Sequence, residues 1–348
     1  MIILGIETSC DETSAAIIKN GKKILSNVTA TSADMHAKTG GIIPEQAARE
    51  QIKSIIPVIE TAIHDSQLTI NEIDAIAVTY GPGLIGSLLV GVETAKTLSF
   101  VWNKPLVPVN HLVGHIYANW LETPDRAVQE PTLPAIALVV SGGHTDLVLL
   151  KNHGKLVWLG GTRDDAAGEA FDKTARLLKL PRPDGPSLAS AAAMFNPSEK
   201  KLNIKLPRPM LDQNNYDFSF SGLKAAVLRE YELLENKNEI NDNSVNELAY
   251  EVQEAITDCL VEKTMRALKE HRMTTLLVAG GVAANSRLRE KFNLQIANCK
   301  LQINLHIPPP KLCTDNPTFI AAAAEFNHKP VPWQEIAANP SLTIDSTV

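Results

Sequence analysis

The chain has 348 residues and a formal net charge of −6, with a sequence pI of about 5.9. Hydrophobic residues make up 44% and charged residues 21%, which excludes a disordered chain, a collagen-like fibre and a histone-like basic protein. No apolar run approaches the roughly 20 residues that cross a bilayer, and the acidic start MIILGIETSCDE lacks the basic region of a secretory signal. The four cysteines show no CxxC spacing, which suits free thiols in a reducing cytoplasm, so we expect a cytoplasmic protein. Because no apolar run is long enough to span a bilayer, we expect no membrane partner.

Strand and helix patterns alternate along the first third of the chain. MIILGIET predicts a buried strand, and SAAIIKNGKKILSNV predicts a hairpin that turns at Asn20-Gly21. Helical spacing follows from Pro44 to Ile63, then the strand IDAIAVTY, a helix from Leu84 to Phe100, the strand PLVPVN and the helix HLVGHIYANWLE. Turn-forming residues in 122–134 indicate a linker.

A similar pattern follows the linker. AIALVVSG predicts a strand, DLVLLKNHGKLVWLGG predicts two more strands, and 164–245 mixes helices with proline-rich loops. A helix at about 246–270 leads into the strand TTLLVAGG and the helix VAANSRLREKF. Two such halves predict a duplicated α/β architecture of two lobes with a cleft between them, although length alone also allows one large barrel.

The glycine run after the strand IDAIAVTY matches a dinucleotide-binding motif. Gly81-Pro82-Gly83-Leu84-Ile85-Gly86 fits G-x-G-x-x-G, but that motif needs a carboxylate at the end of the next strand to bind ribose. Here the next strand ends in Val109-Asn110. A tight turn with close helix–strand packing explains these glycines without a dinucleotide, and we favour that interpretation.

Two histidines lie four residues apart in a predicted helix. His111 and His115 project from one face of it and can therefore bind one metal ion, and Asn110 is a suitable N-cap. Leu112 stands where an HExxH protease has its glutamate. A distant carboxylate would complete a set of two histidines and one carboxylate with open positions. The alternative is a pair of partly exposed helix histidines.

Two glycine-rich junctions follow predicted strands and indicate nucleotide binding. VVSGGHT places 141–144 at a strand end, where backbone amides can hold phosphate. Gly280-Gly281 precedes a helix N-terminus, whose dipole favours anions, and Asn285 in the first turns of that helix can bind a ribose or a base. Tight turns are the alternative. Asp315, at the start of an alanine-rich helix, is either a helix cap or a metal ligand that the fold brings to the histidines.

Ordered blocks over nearly the whole chain resemble the TsaD and Kae-type family, the threonylcarbamoyl-adenosine synthases of the actin-like superfamily, in the bacterial TsaD form. The resemblance implies an α/β fold of two actin-like (ASKHA, ribonuclease H-like) lobes with a nucleotide cleft. The N-terminal lobe would be 1–125 with helix 315–327 packed back on it, the C-terminal lobe 130–312, and the tail 328–348 has no assigned role. The blocks are LGIETSCDET, GGIIPEQAARE, TYGPGLIGSLLVGVETAK, NHLVGHIYA, VSGGHTDLVL, GEAFDKTARLLKL, DFSFSGLKAAV, AGGVAANSRLR and CTDNPTFIA.

The resemblance also implies the site residues. One divalent metal per subunit, Fe²⁺ in preference to Zn²⁺, would be held by His111, His115 and Asp315. The first-loop acids Asp11 and Glu12 would assist catalysis. The substrate contacts would be Val140, Ser141, Gly142, Gly143, His144, Asp172, Gly185 and Asn285. The chain departs from the family pattern at Gln51, Asp184 and Ala189, where relatives carry histidine, glycine and, in some, aspartate.

The implied reaction passes the threonylcarbamoyl group of threonylcarbamoyl-AMP to N6 of the adenosine just 3′ of the anticodon, in tRNAs that read codons beginning with A. The implied partners are tRNA, a TsaB-like paralogue and a TsaE-like ATPase, and a TsaC-like enzyme would supply the donor. A metal-dependent glycoprotease and a non-catalytic actin-like ATP-binding scaffold are the alternatives. The missing glutamate in HLVGH counts against the first, and the three candidate ligands count against the second.

Two further segments are candidate contact surfaces. A tRNA enzyme has to neutralise phosphates, and the acidic chain carries one basic segment, with Lys200, Lys201, Lys205 and Arg208. We expect it to form a local footprint for tRNA, and a solvated loop is the alternative. The small-residue helix at 86–100 is a candidate heterodimer face, for which core packing is the alternative.

Overall fold

The computed structural model describes residues 1–32, 42–123, 128–202, 204–299 and 302–346. The chain divides into two compact units. Unit 1 comprises Met1–Pro131, Asn152–Leu156 and Lys311–Val348, and unit 2 comprises Thr132–Lys151 and Val157–Pro310. Each unit contains one five-stranded sheet. Among the described residues we find no helix with the length and apolar character needed to cross a membrane.

The sheet of unit 1 has the strand order β3-β2-β1-β4-β5. Strand β1 is antiparallel to β2 and parallel to β4, and β4 is parallel to β5. The predicted hairpin turn is confirmed, since Asn20 and Gly21 have φ values of 55° and 67°. The strands are β1 Ile2–Glu7, β2 Thr13–Lys19, β3 Lys23–Ala30, β4 Ala75–Gly81 and β5 Leu106–Asn110.

The sheet of unit 2 has the strand order β10-β9-β6-β7-β8. Strand β6 is antiparallel to β7 and parallel to β9, which is parallel to β10. The short strand β10 was not predicted, because three residues carry too little periodicity to be recognised. The strands are β6 Ala135–Val140, β7 Thr145–Asn152, β8 Lys155–Gly161, β9 Thr275–Ala279 and β10 Asn304–His306.

Helices cover both sheets. The described residues form α1 Pro44–Ser66, α2 Ile85–Trp102, α3 His111–Tyr117, α4 Ala167–Leu177, α5 Gly185–Ala193, α6 Ser221–Asn236, α7 Asp242–Glu270, α8 Ser286–Ala297 and α9 Pro317–Phe326. Two predicted helices are shorter than expected. The α-helix that begins at His111 ends at Tyr117 and continues as a 3₁₀ turn, and Gly281–Ala284 forms a 3₁₀ turn before α8.

Helix α9 is a central element of unit 1. Its residues from Pro317 to Ala324 are buried, and it packs on β1 and β2. A Cβ atom at Gly5 would lie 2.5 Å from the carbonyl oxygen of Pro317, so only glycine in β1 lets this helix approach the strand so closely. The contact brings a segment near residue 317 to the first strand of the chain.

The glycines of the dinucleotide-like motif also serve packing. A Cβ at Gly81 would lie 1.9 Å from the carbonyl oxygen of Asn339, and one at Gly83 would lie 2.4 Å from that of Ser9. A tight turn with close helix–strand packing was the expected reason. These two glycines instead make room for the backbone of a C-terminal segment and of the loop after β1.

Candidate functional site

Helix α3 presents two buried histidines. It begins directly after β5, and its N-cap is Asn110, whose Oδ1 accepts hydrogen bonds from Leu112 N at 2.9 Å and Val113 N at 3.4 Å. The rings of His111 and His115 have centroids 4.7 Å apart, and both side chains are buried. The i, i+4 spacing therefore places two imidazoles side by side, and they are not the partly exposed pair of the alternative interpretation.

Asp315 faces both histidines. Its Oδ1 lies 3.4 Å from His111 Nε2 and 3.2 Å from His115 Nε2. The three ligand atoms all lie within 4.8 Å of one another. The neighbouring Asn316 is the cap of α9, since its Oδ1 accepts from Thr318 N at 3.2 Å. The cap alternative for Asp315 is therefore wrong, and its carboxylate is free to act as a ligand.

The donor set fits a divalent cation. His115 is fully buried, and its Nε2 faces the Asp315 carboxylate oxygen at 3.2 Å. A cation between these atoms would bind the imidazole nitrogen and the carboxylate oxygen together. Two imidazoles and one carboxylate suit both Fe²⁺ and Zn²⁺. The Asp315 side chain is 36% exposed, so a group from outside the protein can reach its carboxylate.

The charges at this site favour the ligand forms of two of the three residues. Burial lowers the pKa of His115 and so favours its neutral ring. Burial alone would raise the pKa of Asp315, but His111 and the hydrogen bonds of both histidines hold it well below its usual range. For His111, burial is outweighed by the charges of Asp315 and Glu7, which raise its pKa to about 10. With no cation bound, His111 is therefore protonated on both ring nitrogens, with Nδ1 facing Glu7 and Nε2 facing Asp315.

Glu7 supports His111 from the side opposite Asp315. It ends β1, it is buried, and its Oε2 lies 3.0 Å from His111 Nδ1. Thr79 Oγ1 donates to the same oxygen at 2.5 Å, and Ser9 N donates to Oε1 at 2.5 Å. Because Glu7 engages Nδ1, His111 presents Nε2 toward Asp315. Sequence reasoning missed this residue, although a carboxylate that ends an apolar strand is a recognisable signal.

The two first-loop acids follow β1 and are supported by Gln51. This buried residue of α1 donates from Nε2 to the carbonyl oxygens of Cys10 at 3.1 Å and Glu12 at 2.9 Å. Gln51 thus fixes the loop through its backbone. Burial, followed by the charges of Asp11, Asp315 and Glu7, raises the pKa of Glu12 to about 7.

The two glycine junctions of unit 2 lie together. A Cβ at Gly280 would lie 2.3 Å from the carbonyl oxygen of Val140, so the second junction packs on the first. The N-terminus of α4 also reaches it, because Gly168 N donates to Ser141 O at 3.2 Å. A Cβ at Gly142 or Gly143 would meet no described atom within 4 Å. These two glycines border open space, as a phosphate-holding loop requires.

The remaining predicted substrate residues make contacts within unit 2. Asp172 Oδ1 accepts from Gly185 N at 2.8 Å, and burial raises the pKa of Asp172. Asp184 caps α5 by accepting from Ser187 N at 2.8 Å. The expectation that Asn285 lies in the first turns of a helix is wrong, because its Oδ1 caps α8. Its Nδ2 donates to Gln253 Oε1 at 2.9 Å.

The basic segment is partly neutralised. Lys200 Nζ lies 2.6 Å from Glu251 Oε1, and Arg208 Nη2 lies 2.9 Å from Asp258 Oδ2. Lys201 and Lys205 are exposed. Two of the four basic residues of the expected footprint are therefore engaged by carboxylates of α7, although 41% of the Lys200 side chain remains exposed.

Helices α1 and α2 share an exposed apolar face. They touch where a Cβ at Gly86 would lie 3.2 Å from that of Ala48. One side of α2 is buried, as the core alternative predicts, while its other side remains exposed. Four of the exposed aliphatic residues of the two helices are Ile52, Ile56, Ile85 and Leu89, which we call the α1–α2 face.

Comparison with known proteins gives consistent matches. The family model of "TsaD: tRNA N6-adenosine threonylcarbamoyltransferase" matches residues 23–322. A protein of that name from Thermomicrobium roseum is 49% identical over 344 residues, spanning 94% of this chain and 92% of the relative. One from Bacillus subtilis is 50% identical over 323 residues, spanning 93% and 89%.

Solved structures confirm the fold class. HypF of T. kodakarensis superposes with a TM-score of 0.58 at 13% identity, over 94% of this chain and 47% of that one. The activator of the 2-hydroxyisocaproyl-CoA dehydratase from Clostridium difficile, with bound ADPNP, gives 0.51 at 14% identity, over 94% and 95%. At such identities these structures show the fold alone, and that fold is the actin-like α/β class predicted from the sequence.

Proposed function

The chain belongs to the TsaD family of tRNA N6-adenosine threonylcarbamoyltransferases, and we propose that His111, His115 and Asp315 hold the metal ion of its reaction. The chain is a transferase that modifies adenosine in tRNA to threonylcarbamoyladenosine, so neither the glycoprotease nor the scaffold alternative is favoured. The observation that carries the metal proposal is the convergence of three ligand atoms within 4.8 Å of one another, two of them on buried imidazoles.

The proposed donor is threonylcarbamoyl-AMP, and the acceptor is N6 of the adenosine just 3′ of the anticodon in tRNAs that read codons beginning with A. A bond forms between N6 and the carbamoyl carbon, and the bond from that carbon to the phosphate oxygen breaks. AMP leaves with the electron pair of that bond, and one N6 proton passes to a base. The reaction needs no oxidant or reductant.

The residues of unit 1 would serve the reacting carbonyl. A divalent ion bound there, Fe²⁺ in preference to Zn²⁺, would polarise the carbonyl and stabilise the negative charge that develops on its oxygen. Glu7 holds His111 in the tautomer that presents Nε2. The exposed part of Asp315 leaves room beside the ligands for a substrate oxygen. The proposed role of this unit is therefore to orient and polarise.

The residues of unit 2 would bind the AMP part of the donor. The open space beside Gly142 and Gly143 supports a phosphate site there, because backbone amides at a glycine turn attract anions. Asp172 holds the backbone of Gly185 through a hydrogen bond and so shapes the loop before α5. The proposed donor contacts are Val140, Ser141, Gly142, Gly143, His144, Asp172, Gly185 and Asn285.

Glu12 is the proposed base, with Asp11 beside it. An exocyclic amine is a poor nucleophile, so removal of its proton during attack assists the reaction. A general base works best when its pKa lies near the working pH, and the pKa of Glu12 is raised to about 7. The charge of Asp11 contributes to that shift.

The proposed partners are tRNA, a TsaB-like paralogue and a TsaE-like ATPase, in the cytoplasm. The α1–α2 face supports a protein partner, since neighbouring helices that expose several aliphatic side chains form an apolar patch. We assign this face to the TsaB-like paralogue. The exposed Lys201 and Lys205 support a local contact with the tRNA backbone.

The deciding experiment is mass spectrometry of tRNA nucleosides after incubation with threonylcarbamoyl-AMP and the partner proteins. The unaltered chain should form threonylcarbamoyladenosine, and the double variant His111→Ala, His115→Ala should form none while remaining folded. His64→Ala, which alters an exposed histidine of α1, is the control. Full activity of the double variant would contradict the metal proposal. Glycoprotein cleavage by metal-loaded protein, lost in the double variant, would instead favour the protease.

A further inference from the structure

The segment 328–346, which follows α9, is packed against unit 1. Val331 N donates to Leu106 O at 2.9 Å, and the two residues form an antiparallel bridge at β5. Ile336 and Ile344 are buried. The segment has no assigned role in the family blocks, yet it contributes both backbone hydrogen bonds and apolar side chains to this unit.

This segment covers the ends of β4 and β5, and β5 leads directly into α3. Asn339 N donates to Tyr80 O at 2.7 Å, and Asn339 O is the atom that a side chain at Gly81 would strike. Gly81 is paired with Asn110, the last residue of β5, in the sheet. The segment therefore passes over the point at which the chain leaves β5 and enters α3.

A turn in the segment fixes one carbonyl group. Thr343 O accepts from Ser346 N at 3.0 Å, and Thr343 N donates to Ser346 Oγ at 3.0 Å. Thr343 Oγ1 donates to Asp345 Oδ1 at 2.7 Å. The same carbonyl oxygen of Thr343 accepts from Asn110 Nδ2 at 2.8 Å. Its direction is thus set by the turn, and its second hydrogen bond reaches the cap of α3.

Both ends of the Asn110 amide are engaged. Its Nδ2 donates to Thr343 O, and its Oδ1 accepts from the first amides of α3. The helix has only seven residues, so few hydrogen bonds of its own fix its direction. The orientation of one buried amide therefore governs how α3 begins, and its first residue is His111.

We propose that Thr343 and Asn110 are positioning residues that aim α3, and with it His111 and His115, at Asp315. The inference rests on the proposed metal role of the two histidines. Thr343 and Asn110 act only through the helix that carries the ligands. In other metal sites, loss of the groups that orient the ligands lowers metal affinity about 10–100-fold. The C-terminal segment is on this view a part of the metal site.

The test is metal binding by N110S. Serine keeps an oxygen that can cap the helix amides but removes the donor to Thr343 O. The matched control is N241S: Asn241 caps α7 through Ser244 N at 3.1 Å and donates from Nδ2 to Glu239 O at 3.0 Å. Zn²⁺ affinity, measured by titration of folded apo protein, should fall about tenfold or more in N110S and stay within about twofold in N241S.

Two shortened chains complete the test. A chain ending at Leu342 lacks the Thr343 carbonyl and should lose Zn²⁺ affinity like N110S, whereas one ending at Ser346 should retain it. If N110S does not fold, the chain ending at Leu342, which keeps Asn110, still tests the inference. Unchanged affinity in N110S and in the chain ending at Leu342 would overturn the inference. Zn²⁺ affinity of the unaltered chain that survives H111A with H115A would instead contradict the proposed metal role.

Discussion

Glu7 Oε2 lies 3.0 Å from His111 Nδ1, and both side chains are buried. Burial alone would raise the pKa of Glu7, but the attraction of His111 and its hydrogen bond outweigh it, so the pKa is lowered. The carboxylate is therefore ionised and holds a proton on Nδ1. A carboxylate in this position makes the opposite nitrogen a better metal ligand.

We predict that Glu7→Gln weakens metal binding without removing a ligand. Glutamine has the same shape and its amide oxygen can still accept from Nδ1, but it carries no charge, so it increases the basicity of Nε2 less than a carboxylate does. Zn²⁺ affinity should fall about 10–100-fold in a competition titration. Glu60→Gln, at an exposed position of α1, is the control. Equal affinities of E7Q and the unaltered chain would show that Glu7 serves packing alone.

The raised pKa of Glu12 predicts a pH dependence of the transfer. Below pH about 7 the carboxyl is protonated and cannot accept the N6 proton, so kcat should rise with pH through about 7 and then level off. The rate profile of Glu12→Gln should lose this limb. A profile that keeps the limb in E12Q would assign it to another group.

The raised pKa of Glu12 also predicts a pH dependence of folding stability. The pKa of Glu12 is raised from 4.5 to about 7, so the folded chain holds this proton more tightly than the unfolded chain. Its contribution to stability is complete below pH about 4.5 and is lost as the pH rises through about 7. E12Q should flatten this part of the curve of melting temperature against pH.

Gly142 of the first junction in unit 2 and Gly168 of α4, which packs on that junction, predict different effects of the same change. Gly142→Ala adds a methyl group beside open space, so folding stability should change by less than about 0.5 kcal/mol while KM for the donor rises. A Cβ at Gly168 would lie 2.4 Å from Ser141 O, so Gly168→Ala should cost about 1–3 kcal/mol of stability. Urea denaturation and donor kinetics separate the two. An unchanged KM in G142A would place the phosphate elsewhere.

The two exposed lysines predict a small, salt-dependent tRNA contact. Lys201→Glu with Lys205→Glu should weaken tRNA binding and reduce the slope of log affinity against log salt by up to about 2, since each phosphate contact contributes about 0.9. Lys19→Glu with Lys23→Glu makes the same charge change at exposed positions of unit 1. Equal salt slopes for both double variants would place the tRNA contact elsewhere.

The α1–α2 face predicts the position of the protein partner. Leu89→Glu places a charge in an exposed apolar patch, so it should weaken binding of the TsaB-like paralogue at least about tenfold, as loss of a central interface residue does. The monomer should keep its melting temperature, because the side chain is not part of the core. Leu233→Glu, at an exposed position of unit 2, is the control. Unchanged affinity of L89E in calorimetry would exclude this face.

Local patterns predicted most of the elements, because periodicity and turn chemistry are local properties. The hairpin at Asn20-Gly21 and the paired imidazoles of α3 follow from them directly. Asp315 does not, because it meets His111 through the packing of α9 on β1, and no local pattern encodes a contact between such distant segments. It was the family resemblance that joined the two.

Other features escaped prediction for a related reason. The prolines of 328–346 indicate irregular structure, and nothing in that pattern shows that Ile344 is buried or that a backbone carbonyl supports the cap of α3. The choice between Asp315 and Asn316 as cap also depends on where each side chain points. Such assignments need coordinates, because they depend on direction and not on composition.

The packing of α9 against β1 has a consequence for synthesis of the chain. The ribosome makes all of unit 2, Thr132–Lys151 and Val157–Pro310, before it reaches α9. Strand β1 must therefore wait for its covering helix while the whole second unit is translated, and contacts between such distant segments form slowly. A nascent chain stalled before residue 317 has completed unit 2. Its strand β1 still lacks the helix that packs on it and that brings Asp315 to the two histidines.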